Sequence, residues 1–65
     1  MQITVNSRPR QVGDGVTLLE LLELDGEPVG HVIVEVNREY VPKRDYSRLL
    51  ADGDQVEIIY PAYGG

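Results

Sequence analysis

The chain has 65 residues, carries a net charge of −5 and contains no cysteine. That is a single domain, and one that buries only about 60% of the surface its unfolded chain exposes, too little to enclose an active site of its own. Acidity excludes a nucleic-acid face, which needs clustered cations, and the lack of thiols excludes disulfides and a thiolate zinc site.

From the N-terminus, Met1, Ile3 and Val5 alternate with Gln2, Thr4 and Asn6, the period of a half-buried strand. Asn6-Ser7-Arg8-Pro9 has turn composition, and Arg10-Gln11-Val12 returns as a short second strand. Pro9 has no amide hydrogen to give, so this strand begins after it or lies at a sheet edge. Gly13-Asp14-Gly15 breaks the pattern and reads as a strand-to-helix turn. No Gly-Lys-Ser/Thr follows it, and the spacing fits no nucleotide fingerprint.

Thr17 with Glu20 three residues on is a capping box, opening a helix over Leu18 to Leu24. Leu18, Leu21 and Leu22 share its core stripe, flanked by Leu19 and Leu24. Asp25-Gly26 closes it and Pro28 stands beyond as a stop. Glu20, Glu23, Asp25 and Glu27 read as a solvated face, because nothing in the pattern buries them as an acid/base cluster.

His31 to Asn37 is the most β-prone segment. Val32, Val34 and Val36 point one way, and His31, Ile33 and Glu35 the other. His31, the one histidine of a cysteine-free chain, reads as an exposed polar residue rather than a metal ligand. Asn37-Arg38 is a turn, Glu39-Tyr40-Val41 a short strand stopped by Pro42, and Lys43 to Leu50 irregular or a single helical turn. Tyr46, Leu49 and Leu50 are its predicted core contacts. Asp52-Gly53-Asp54 turns into the last strand, Gln55 to Tyr60, with Val56, Ile58 and Tyr60 on one face and Glu57 and Ile59 on the other.

Strong one-faced strands and one amphipathic helix pack most economically as a two-layer α+β domain, a mixed sheet wrapped around the helix. Ile33 and Ile59 then fall on the face away from the helix. If their strands are neighbours, the two form a small apolar spot rimmed by Glu35 and Glu57, suited to docking a partner. The net charge favours encounter with a basic protein, and equally keeps a small protein soluble. No apolar run approaches the roughly 20 residues of a membrane span. Met1 opens a strand pattern rather than a signal peptide, so the cytoplasm is the expected location.

The sequence closes on Pro61-Ala62-Tyr63-Gly64-Gly65. At about 7% average glycine usage, a closing Gly-Gly arises by chance in roughly 0.5% of chains, which makes it a candidate signal. Both glycines lack a Cβ and can thread a narrow channel. Five extended residues reach roughly 17 Å. Pro61 stiffens the base of such a tail, and Tyr63 is a candidate aromatic anchor for a partner groove.

The element order together with Gly64-Gly65 resembles the β-grasp, ubiquitin-like sulfur carriers of the ThiS/MoaD type, and ThiS more than MoaD. The resemblance rests on Met1-Gln2-Ile3, on Thr17-Leu18-Leu19-Glu20-Leu21-Leu22, on Val34 to Pro42, on Leu50 to Ile58 and on the final glycines, and so spans essentially the whole chain. Pro61-Ala62 and Tyr63 depart from the usual ThiS-like tail and are closer to MoaD-like and amino-acid-biosynthesis carriers.

The resemblance implies a β-grasp fold of four to five strands and one helix over residues 1–60, with a flexible tail over 61–65. It implies that Gly65, preceded by Gly64, carries the chemistry. A ubiquitin-activating-type adenylyltransferase uses Mg-ATP to adenylate the Gly65 carboxylate, and a sulfur donor (a desulfurase or sulfide) displaces AMP to leave a thiocarboxylate. An acceptor such as thiazole synthase then takes the sulfur. The carrier binds no cofactor itself, is a substrate rather than an enzyme, and has no membrane or nucleic-acid partner. Ile33, Ile59, Pro61 and Tyr63 are the expected partner-binding residues. Molybdopterin or cysteine/homocysteine synthesis are alternative destinations for the sulfur, and a lysine-conjugating modifier is an alternative function.

Overall fold

Strands β1 (Gln2–Val5) and β2 (Arg8–Gln11) form the N-terminal hairpin of the computed structural model, which describes residues 1–62. Their loop is tighter than its composition predicts. Asn6 and Ser7 both adopt positive φ, 50° and 70°, the mark of a two-residue loop whose twist matches that of the strands. Arg8 therefore pairs with Val5 and Pro9 with Thr4, so β2 starts two residues before the expected Arg10. Pro9 is tolerated because β2 is an edge strand.

Helix α1 (Leu18–Leu24) forms as expected, and the capping box is complete: Glu20 N–H donates to Thr17 Oγ1 at 3.1 Å and Thr17 N–H to Glu20 Oε1 at 3.2 Å. The first two amides find a different solution. Leu18 N–H donates to the Arg48 carbonyl at 3.0 Å and Leu19 N–H to the Tyr46 carbonyl at 2.8 Å. The irregular stretch after a 3₁₀ turn at Lys43–Asp45 thus serves as a lid over the helix N-terminus, satisfying donors that would otherwise be orphaned. Leu49 pairs with Thr17 along this lid and stays 64% exposed, contrary to the core role predicted for it. Its neighbours Tyr46 and Leu50 are buried.

The helix ends in a Schellman arrangement. Gly26 takes φ +68°; its N–H donates to the Glu23 carbonyl, and Glu27 N–H donates to the Leu22 carbonyl at 2.9 Å. Asp25, at the cap, is not part of a solvated face. Arg10 shares the inner sheet face with Ile3's side of the hairpin and reaches both Asp25 oxygens, at 2.6 and 2.5 Å. These hydrogen bonds hold the Asp25 carboxyl below its usual range. Sequence periodicity places residues on faces of one element; it does not show that β2 packs beside the helix end.

A 3₁₀ turn at Val29–His31 precedes β3 (Ile33–Val36), so His31 lies in that turn rather than opening the strand. Strand β4 (Glu39–Val41) follows a second two-residue loop, Asn37-Arg38, again with positive φ at both residues. Strand β5 (Gln55–Ile59) completes a five-stranded sheet of order β2-β1-β5-β3-β4. It runs parallel to β1 and antiparallel to β3. Ile3, Val34, Val36, Val56 and Ile58 on the inner face close over Leu18, Leu21 and Leu22 of the helix, all eight buried. The fold is the expected α+β, β-grasp arrangement.

Candidate functional site

The central strand β5 sits between β1 and β3, and its C-terminal end leads to Pro61 and the final glycines. Two asparagine side chains fix it. Asn37 N–H donates to the Gln55 carbonyl at 2.7 Å, and Asn37 Oδ1 accepts from Gln55 N–H at 2.9 Å. At the other end β1 has already turned away, and Asn6 Oδ1 accepts from Ile58 N–H at 2.7 Å. Each asparagine occupies the first position of a two-residue loop, where its side chain tolerates positive φ and remains free to bond. The parallel ladder is thereby extended one residue beyond its backbone.

The end of the sheet remote from the tail is locked more heavily. Asp54 is buried, and its carboxylate accepts from Ala51 N–H at 2.8 Å and Asn37 Nδ2 at 3.0 Å. Asp52 Oδ1 accepts from Gln2 N–H at 2.8 Å. The Asp-Gly-Asp turn, predicted only as a turn, is the knot joining β1, β3 and β5. Asn6, Asn37 and Asp54 were not among the predicted site residues; the Asn-Ser and Asn-Arg loops between alternating strands were the signal available for the first two.

The condition set for a docking spot is met: Ile33 and Ile59 are direct cross-strand partners, 39% and 41% exposed. Glu35 and Glu57 oppose each other in the next row of that face, with Tyr40 opposite Glu35 and 66% exposed. Directly opposed like charges destabilise a strand pair, so this row is not optimised for stability. Tyr60, predicted to face the core, lies beyond the last residue of β5 and is 58% exposed. Pro61 is half-buried and Ala62 exposed. The expectations for Tyr63, Gly64 and Gly65 fall outside the described residues.

Nothing among the described residues resembles an enclosed catalytic centre. Shallow depressions of about 240 Å³, lined by Gln2, Thr4, Asp52 and Gln55 among others, and about 320 Å³, against Glu20, Glu23 and Leu24, both lie away from the tail end of the sheet. Among the described residues no group of three or more His, Asp or Glu side chains is placed to hold a metal ion. No helix among them is long and apolar enough to cross a membrane.

A model of the ThiS family matches residues 2–65, a span that includes both final glycines. The crystal structure of the thiamine biosynthesis protein ThiS from Geobacter metallireducens is 33% identical in sequence and superposes with a TM-score of 0.86 over the full length of both chains. The solution structure of a thiamine biosynthesis protein from the same organism, also 33% identical, gives 0.77 over all of this chain and 88% of the other. Curated proteins provide no match.

Proposed function

The chain belongs to the ThiS family, and from that membership we propose that it is a sulfur carrier of thiamine biosynthesis, with the Gly65 carboxylate as its working group. The observation that carries the reading is the family match through residue 65 on a β-grasp body whose central strand runs toward Gly64-Gly65.

A carboxylate is a poor electrophile. A partner adenylyltransferase of the ubiquitin-activating type uses Mg-ATP to form the acyl-adenylate at Gly65, releasing pyrophosphate. A sulfur nucleophile then attacks the acyl carbon, AMP departs with the bonding electrons of the C–O bond, and a thiocarboxylate remains. A synthase that builds the thiazole ring accepts the sulfur. This chain contributes no acid, base or nucleophile to those steps and is their substrate. It contributes placement: a body held rigid through β5, two glycines without Cβ atoms to enter the partner's channel, and a surface for the partner to grip. Ile33 and Ile59 form the apolar centre of that surface, and Pro61 and Tyr63 continue it along the tail. The cytoplasm, where such partners work, is the proposed location.

The test is intact mass. Carrier, cognate activating enzyme, Mg-ATP and a sulfide source yield a product heavier by about 16 Da, oxygen replaced by sulfur through acyl substitution. Deleting Gly65 abolishes the shift. No shift beside an activating enzyme that turns over a control carrier defeats the reading. Thiazole synthase consuming the thiocarboxylate separates the thiamine pathway from the molybdopterin, cysteine and homocysteine acceptors that Pro61 and Tyr63 first brought into view.

A further inference from the structure

Three Asp-Gly pairs lie in the chain, at Asp14-Gly15, Asp25-Gly26 and Asp52-Gly53. An aspartate followed by glycine is open to a reaction that needs no enzyme. The glycine nitrogen attacks the aspartate Cγ, and its approach is unobstructed because glycine carries no Cβ. The reaction asks two things of a fold: a carboxyl free to swing toward the backbone, and an amide that is not already donating.

Two of the pairs are denied both. Arg10 donates to both Asp25 oxygens, at 2.6 and 2.5 Å, and Gly26 N–H donates to the Glu23 carbonyl at 3.1 Å. Asp52 Oδ1 accepts from Gln2 N–H at 2.8 Å, and Gly53 N–H donates to the Gln2 carbonyl at 2.7 Å. Asp14 differs. Its side chain is 94% exposed, and its ion pair with the Met1 amine spans 3.7 Å, a contact of little strength in water. Among the hydrogen bonds of the described residues, none uses Gly15 N–H.

The turn also has room for a product. A Cβ built on Gly13 or Gly15 would meet nothing within 4 Å. Val12 N–H to the Met1 carbonyl and Leu50 N–H to the Val16 carbonyl, both at 2.9 Å, hold the chain on either side. The segment between them can therefore take up one extra main-chain methylene while its ends stay in place. It follows Gln11, which pairs with Gln2 at the end of the sheet remote from the tail.

We propose that Asp14-Gly15 is a site of spontaneous covalent modification, converting to isoaspartate while the chain is folded, and that the fold shields the other two pairs. Gly15 N forms a bond to Asp14 Cγ, the Cγ–OH bond breaks, and the hydroxyl leaves with the amide proton as water, closing a succinimide ring. Hydrolysis at the Asp14 main-chain carbonyl carbon returns one water, breaks its bond to nitrogen and leaves the backbone running through Cγ. The α-carboxylate so freed is displayed on an exposed turn, as a substrate for an enzyme that methylates isoaspartyl carboxyls. The step is independent of the chemistry at Gly65.

The test ages the folded protein for weeks in mildly acidic buffer, beside a second portion kept unfolded in concentrated urea. After removal of the urea, both are digested with a protease that cuts before aspartate but not before isoaspartate. Modification at Asp14 replaces the fragment 1–13 by 1–24, and a transient species lighter by one water marks the succinimide. In the folded chain, cleavage before Asp14 should be lost at least about tenfold faster than before Asp25 or Asp52, whose hydrogen bonds must break first. In urea the three rates draw together. Equal loss at the three sites of the folded chain overturns the inference, as does a folded Asp14 that stays intact. A preference for Asp14 undiminished in urea also overturns it, because local sequence and not the fold would then be the cause.

Discussion

Two adjacent residues of the β1–β2 loop should respond to the same substitution with opposite signs. Asn6 and Ser7 both hold positive φ, which glycine adopts without strain. Asn6 also supplies Oδ1 to Ile58 N–H at 2.7 Å. Asn6→Gly keeps the loop and deletes this acceptor: leaving a partly buried donor without its partner costs about 1–2 kcal/mol. The glycine adds about 0.5–1 kcal/mol of unfolded-state entropy, against a few tenths recovered because asparagine tolerates the left-handed region well. The sum is a loss of about 1.5–2.5 kcal/mol, or roughly 10–15 °C in Tm for a domain of this size. Ser7 makes no such bond, so Ser7→Gly sheds left-handed strain of about 1–2 kcal/mol for the same entropic cost and gains about 0.5–1 kcal/mol. Thermal unfolding reads both totals, and amide exchange at Ile58 reads the local one. An Ile58 amide equally protected in Asn6→Gly, or two Tm changes of the same sign, would refute the argument that Asn6 continues the sheet.

Asp25→Asn should cost about 1 kcal/mol at pH 7, a modest figure because Arg10 is about a third exposed. The Asp25 pKa is lowered in the folded chain by hydrogen bonds from Arg10, so its stabilisation is complete above the unfolded carboxyl pKa and fades as pH falls through the folded one. Urea midpoints of the variant and the parent therefore differ at pH 7 and converge once the pH lies below the lowered Asp25 pKa; a gap that does not narrow as the pH falls would show that charge is not the cause. Leu21→Ala, in the sealed core, should cost about 2–5 kcal/mol, enough to unfold much of a marginal domain, while Leu24→Glu, at a residue 73% exposed, should stay within about 0.5 kcal/mol. Circular dichroism during urea titration separates the two. Ile59→Thr keeps a β-branched side chain in the strand and should weaken binding to the activating enzyme by about tenfold, a 1.4 kcal/mol loss. Unchanged affinity by calorimetry would remove the Ile33–Ile59 pair from the docking surface.

Periodicity carried most of the fold into view. The seven most buried side chains all sit where a period of two or 3.6 places an inward residue, and the capping box marks the helix start to the residue. Two of its failures share one cause: each depends on which elements become neighbours. Leu49 belongs to an apolar pair with Leu50, yet its segment must spend its carbonyls on the amides of Leu18 and Leu19, which turns one leucine outward. Asp25 reads as one more acid on an acidic helix until β2 brings Arg10 beside it. The early start of β2 follows from left-handed backbone at Ser7, a residue type with no strong preference for it. The docking pair was legible as a conditional, because exposure follows from parity whereas adjacency follows from strand order.

The two ends of the sheet are built differently, and the difference suits a carrier. At the end remote from the tail, Asp52, Asp54 and Asn37 join three strands through side-chain bonds. At the tail end one bond, Asn6 to Ile58, is the last side-chain hold on β5. Past it lie Ile59, Tyr60 and Pro61, whose exposed or half-exposed side chains are of a kind that partners bury. Side-chain bonding is thus concentrated at the end remote from the apolar pair and stops at Ile58, while the ladder to β3 still holds Ile59. A body so arranged fixes the point at which β5 ends. Loss of Asn6 should therefore affect more than stability. At temperatures where Asn6→Gly remains folded, fraying at Ile58 widens the range of positions from which the tail departs. The adenylation rate should then fall at subsaturating carrier and recover at saturation, raising KM with little change in kcat. A fall in kcat at unchanged KM would place the effect in the chemistry of the terminus instead.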